Sequence, residues 1–186
     1  NGKPLPTLFS MDACEKVIYM NTFSKSLTPT IRISYMILPV HLANQFYRQL
    51  SFYSCTVSNF EQYTLAAFIN QGYFEKHINR MRLFYSRQRK KLIEAIEHSS
   101  LKEKCRIIEN DSGLHFLLHL QTELSDQCLS EQLKQQGIKM LPMSEYFLTA
   151  ENSREHYFII NYSCVDLEKI PAACERIHQL LSEKNA

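Results

Sequence analysis

The sequence predicts an α+β chain, a mostly antiparallel sheet backed by helices. Three observations carry this. Short β-branched and aromatic runs ("EKVIYM", "IRISYMIL", "CRIIE", "LHFLLHL", "YFIINYS") recur along the chain and read as strands. From Phe74 to about Ser99, apolar residues return at steps of three and four or their multiples, the period of an amphipathic helix. Ser58 and Asp166 open helical segments, and Gly72 and Gly137 close them, in the positions that cap helices.

Taken in order, Glu15–Met20 is a short buried strand and Asn21–Thr30 a polar loop. "IRISYMIL" follows as a second strand stopped by Pro39, which lacks the N–H a ladder needs. Leu42, Phe46 and Leu50 have helical spacing. "SNFE" at Ser58–Glu61 is a capping box that opens a helix through Asn70. After the long Phe74–Ser99 helix, Cys105–Glu109, the turn "NDSG" and Leu114–Leu120 read as a hairpin. A helix runs from Ser125 to Gly137, "IKMLP" is a short strand, and Tyr157–Ser163 is another. The terminal helix shows Ile170, Ala173, Ile177 and Leu180 on one face. Pro171 is compatible with its first turns, where the missing amide is largely unpaired in any case.

With 186 residues, 45% hydrophobic and 22% charged, the chain has the balance of a globular protein able to bury a core. A net charge of +2 is too small to imply a nucleic-acid or membrane partner by itself. The six cysteines stand far apart, with no C-x-x-C and no zinc-ligand spacing. They read as reduced, mostly buried thiols and point to the cytoplasm, with no metal expected. No signal peptide or membrane-spanning run is visible.

The stretch "YMNTFSKSLTPTIRISYMILP" sets one lysine, Lys25, in a Ser/Thr/Pro-rich loop between two apolar segments. A lysine that condenses with a carbonyl needs reach, a fixed loop and surroundings that tolerate its neutral amine. A phosphate on the carbonyl partner adds a demand for a guanidinium fork and small hydroxyl donors. Thr22, Ser24, Lys25 and Arg32 supply that set close together, and Pro29 stiffens the crossing into the strand. Composition alone leaves a solvated, structural lysine open.

The pattern Y-x-N-T-F-S-K-S-L-x-P-x-x-R-I-S-Y-x-I-L-P resembles the pyridoxal-phosphate lysine segment of the fold-type I aminotransferase superfamily. It is most similar to the version in the MocR branch of the GntR family of bacterial transcriptional regulators. "SNFEQYTLAAFINQGYFEKHINRMRLFYSRQRKKL" resembles that branch's segment joining the large and small domains, and "SGLHFLL" and "GIKMLPMSEYF" its small domain. The resemblance implies the tail of the large domain over 1–57, carrying the lysine loop, then interdomain helices and the small C-terminal domain over 58–186. Lys25 would form the Schiff base with pyridoxal phosphate. Arg32 would pair with the phosphate, and Thr22 and Ser24 would donate to it. The chain reaches Lys25 so early that it reads as the later part of something larger. A DNA-reading winged helix, the Asp facing the pyridine nitrogen and the ring-stacking aromatic would lie upstream. The intact protein would be a cytoplasmic homodimer, and this piece alone would hold the cofactor poorly. The alternative is the C-terminal part of an active aminotransferase.

One departure bears on that choice. Aminotransferases of this fold hold the substrate carboxylate with an arginine on a late strand, and the equivalent run "FIINYS" places Ile159 there. Arg154, in a polar loop, reads as a surface residue. This weighs against transamination and for a sensor.

Other features read as structural. Lys76–Lys91 carries seven Lys or Arg with aromatics between them, a pattern that could serve nucleic-acid binding. Its aromatics, however, fall on or beside the apolar face with Ile78 and Met81, and its charges read as a solvated face, which weighs against direct nucleic-acid binding. His77 and His115 read as edge or core histidines, Cys164 and Cys174 as packing residues, and "NDSG" as a turn rather than a phosphate loop.

Overall fold

The computed structural model describes residues 6–108, 113–148 and 154–183. It divides into two compact units, with the break between Arg82 and Leu83, and each is taken by itself.

The first unit holds α1 (Leu8–Met11), β1 (Tyr19–Thr22), β2 (Ser34–Ile37), α2 (Val40–Leu50), α3 (Asn59–Asn70) and the start of α4 (Tyr73–Glu97). β1 and β2 pair antiparallel, Tyr19 opposite Ile37 and Thr22 opposite Ser34. Both strands begin later than their apolar runs. Asp12 explains the first delay: its carboxylate accepts the N–H groups of Cys14, Lys16 and Val17 at 2.9, 2.6 and 2.6 Å. The chain is thereby held in a turn, with Glu15 at φ +52°, and Val17 and Ile18 stay out of the ladder. Those three N–H bonds, the one from Val17 first, draw the Asp12 carboxyl below its usual range. α3 carries the expected capping box, with Ser58 and Glu61 bonded reciprocally, and Gly72 follows at φ +75°. Among the described residues of this unit only Pro39 is buried.

The second unit contains the core. β3 (Cys105–Ile108), β4 (His115–Leu120), β5 (Leu141–Pro142) and β6 (Tyr157–Asn161) form one antiparallel sheet in the order β3-β4-β6-β5. The turn expected at 110–113 lies outside the described residues except for Gly113. Strand alternation sends Phe116, Leu118, Leu120 and Phe158 to one face, all buried. That face packs with Leu92 and Ile96 of α4, Leu129 and Leu133 of α5 (Asp126–Gln135), and Ile177, Leu180 and Leu181 of α6 (Ile170–Glu183). Each such side chain contributes about 1.5–3 kcal/mol by leaving water. Asp166 caps a 3₁₀ turn at Leu167–Lys169 rather than α6 itself, so Pro171 is the second residue of the helix. "IKMLP" pairs only at Leu141–Pro142.

The cysteines depart from expectation. All six are free thiols, but Cys14, Cys55 and Cys164 are exposed, and only Cys174 is fully buried. Burial pushes the Cys105 thiol up to about 11 and moves Cys174 the same way. No helix among the described residues is long and apolar enough to cross a membrane.

Candidate functional site

The loop that joins β1 to β2 is closed by its own hydroxyls. The Thr22 hydroxyl donates to the Ile33 carbonyl at 3.1 Å, and the Ser24 hydroxyl to the Ile31 carbonyl at 2.8 Å. The Phe23 N–H reaches Ile33 O at 3.0 Å, and Leu27 N–H returns to Phe23 O at 2.8 Å. Ile31 and Ile33 therefore serve loop closure, which is why β2 starts at Ser34 and not at the head of its apolar run. The back of the loop is apolar: Leu27, Ile31 and Ile33 line a cavity of about 220 Å³ with Phe60, Leu65 and Phe68 of α3.

On its other side the loop borders a concavity of about 340 Å³, lined by Lys25 together with Asn21, Thr22, Phe23, Ser26, Tyr35 and Phe74. Asn21 and Tyr35 stand directly opposite each other in the ladder. The Asn21 amide donates to the Tyr19 hydroxyl at 2.6 Å and accepts from the Thr22 N–H at 2.8 Å. Burial first, then hydrogen bonding to Tyr19, raises the Tyr35 phenol above its ordinary range. Rings follow one another along this wall, Tyr19 to Tyr35 at 6.1 Å, Tyr35 to Phe23 at 5.2 Å and Phe23 to Phe74 at 5.9 Å, separations typical of aromatic pairs.

Of the four residues expected at a phosphorylated carbonyl, Lys25 and Thr22 share this concavity, whereas Arg32 and Ser24 are not among its lining residues. Lys25 and Arg32 are exposed, and neither has an ion-pair partner among the described residues. An amine and a guanidinium left without carboxylates are the donors that an aldehyde and a phosphate require. The hydroxyls are different: each has a single hydrogen, already given to a carbonyl, so each would have to rotate to donate to a phosphate. The chemistry of the two cations suits an aldehyde and a phosphate, but only Lys25 borders the concavity, with Arg32 outside its lining.

Asn21, Tyr35 and Phe74 escaped the sequence reading. Their meeting depends on the strand register and on where α4 starts, and neither is written in local spacing. Ile159 sits in β6, paired with Leu117 and Leu141, and Arg154 is exposed. Among the described residues no group of three or more His, Cys, Asp or Glu could hold a metal ion.

The sequence matches the family described as aminotransferase class I and II over residues 2–177. It is 45% identical over 143 residues to an uncharacterized HTH-type transcriptional regulator, YdeL of Bacillus subtilis, covering 77% of this chain and 31% of that protein. It is 33% identical over 165 residues to the probable rhizopine catabolism regulatory protein MocR of Rhizobium meliloti, covering 89% of this chain and 33% of that protein. The fold is similar to the kynurenine aminotransferase of Pyrococcus horikoshii, solved in complex with PMP, at a TM-score of 0.77 and 25% identity over 99% of this chain and 45% of that one. The chain thus spans about a third of the length of the two regulators. A fold shared with aminotransferases and a sequence shared with regulators meet in one conclusion: the chain belongs to the aminotransferase class I and II family, and within it resembles the MocR-type regulators.

Proposed function

We propose that this chain is part of a pyridoxal-phosphate-binding effector domain of a bacterial regulator of the MocR type, with Lys25 as the cofactor lysine. Family membership implies the cofactor, and the regulators to which the chain is similar are named as HTH-type. The observation that carries the residue assignment is the exposed Lys25 on the wall of a concavity, in a loop closed by Thr22 and Ser24, with Arg32 near in sequence and likewise without an acidic partner among the described residues.

When bound, pyridoxal phosphate supplies an aldehyde that a lysine amine can capture reversibly. The chain's own part is to present that amine. The loop bonds fix where the Lys25 backbone starts, and the rings of Phe23, Tyr35 and Phe74 give its side chain an apolar wall. Arg32 offers a fork to the phosphate. Thr22 and Ser24 shape the loop first and donate to the phosphate only after turning away from Ile33 and Ile31.

A sensor is favoured over a transaminase because Ile159 stands where a carboxylate-binding arginine is expected, in a strand whose pairs at that point are Leu117 and Leu141. An apolar side chain cannot make the bidentate pair. In the intact protein, cofactor binding would bias a dimer between DNA-binding states.

The test is borohydride reduction of the full-length protein with pyridoxal phosphate, followed by peptide mapping. The expected adduct is on Lys25, and Lys25→Ala abolishes it. Labelling of a different lysine in the wild type rejects the assignment. Turnover of amino-acid and keto-acid pairs would favour the enzyme instead.

A further inference from the structure

α4 is 25 residues long, and its sides differ in chemistry. Tyr85, Leu92 and Ile96 face the core. With 3.6 residues per turn, Leu83, Phe84, Arg87, Lys90 and Lys91 fall together on the opposite side, and all five are exposed. The sequence places the aromatics of this run on or beside the apolar face; Phe84 instead lies outward with Leu83, each 54% exposed. From Lys76 to Lys91 the chain holds seven Lys or Arg and no Asp or Glu, against +2 for the whole, so the remainder is net negative. Positive charge is concentrated on this one helix. Arg89 lies elsewhere, near Tyr162. Glu94 ends the stripe, 3.7 Å from Lys90 in an exposed pair that competes weakly with any other anion.

We infer that the outward side of α4 from Leu83 to Lys91 is a contact surface for the phosphate backbone of duplex DNA. This rests on the regulator reading above, because only a protein held on DNA by another part of its chain would present this helix to a duplex. Arg87 and Lys91 are separated by about 6 Å of helix rise, and a DNA strand presents one charge per about 3.4 Å of axis. The stripe therefore matches two or three successive phosphates, with Leu83 and Phe84 available to the sugar carbons between them. An acidic protein segment would also answer the charge. Arg87, in the middle of the stripe, favours phosphate, which a guanidinium fork grips bidentately. Contacts of this kind carry no sequence information and add salt-sensitive affinity.

The experiment compares the full-length wild type with the Arg87→Gln/Lys90→Gln/Lys91→Gln variant on a mixed-sequence DNA duplex between about 50 and 200 mM salt. Unchanged thermal melting establishes that the variant is folded. The expected result is a slope of log affinity against log salt that is shallower by about 2–3 in the variant. Leu83→Ser/Phe84→Ser is expected to leave the slope as in the wild type. An unchanged slope in the triple variant overturns the inference and leaves the regulator reading standing. A folded triple variant that keeps the wild-type slope but no longer binds poly-L-glutamate also overturns it, in favour of an acidic protein partner. A wild type without affinity for any duplex sinks both readings.

Discussion

The carboxylate of Asp126 holds His156 by its backbone. The His156 backbone N–H donates to Oδ1 at 2.7 Å, and the imidazole Nδ1 lies 3.6 Å from the same oxygen. The other carboxylate oxygen accepts from the Ser144 hydroxyl at 2.5 Å. Asp126 is the one buried charged residue among those described. It ties the first turn of α5 to the segment after β5 and to the entry of β6, where His156 is held at φ +66°. Asp126→Ala is expected to destabilise the chain by about 2–4 kcal/mol, because it strands two donors and removes a negative charge from a helix N-terminus. Asp126→Asn, which keeps an acceptor for His156, should cost less. Urea melts of the two variants give the comparison; equal losses would show that charge, not hydrogen bonding, holds the junction.

Arg32→Ala in the full-length protein should weaken pyridoxal phosphate binding by about tenfold or more, the scale of one charged hydrogen bond, and leave melting unchanged. The expectation follows from its exposure and its lack of an acidic partner among the described residues. A large drop in melting temperature would make the arginine structural.

Ser24→Ala removes the bond to the Ile31 carbonyl and should loosen the lysine loop by about 0.5–1.5 kcal/mol. Hydrogen exchange at the Phe23 and Leu27 amides reads this directly. Unaltered exchange would mean the loop is closed from elsewhere.

The thiols should separate by reactivity. Cys14, Cys55 and Cys164 are exposed and should alkylate first near pH 8. Cys105, pushed up to about 11 mainly by burial, should lag, since the thiolate is the reacting form. The same shift has a consequence for stability. Between about pH 9 and 11 the unfolded chain releases this proton and the folded chain keeps it, so stability falls as pH rises through that window. Cys105→Ala should flatten that alkaline limb, as denaturant midpoints would record.

Much of the fold was legible because its signals are local. The Ser58–Glu61 box, the Gly72 and Gly137 positions and the Phe74–Ser99 period each specify an element over a few residues. The strand starts at Tyr19 and Ser34 were not, because Asp12 and the Thr22 and Ser24 hydroxyls claim backbone groups that β-branched residues would otherwise have paired. The site divides the same way. Lys25 stands out by its loop, whereas Asn21, Tyr35 and Phe74 join it only through register and helix placement.

Among the described residues burial is distributed unevenly, with Pro39 alone enclosed up to Arg82 and a full set of interior side chains beyond it. Calorimetry registers newly wetted hydrocarbon as a rise in heat capacity. For this chain alone, that increment should be small for its length and should belong almost wholly to the sheet and the helices packed on it. A fluorophore placed near Tyr63 should barely register the main transition that one near Phe158 follows in full.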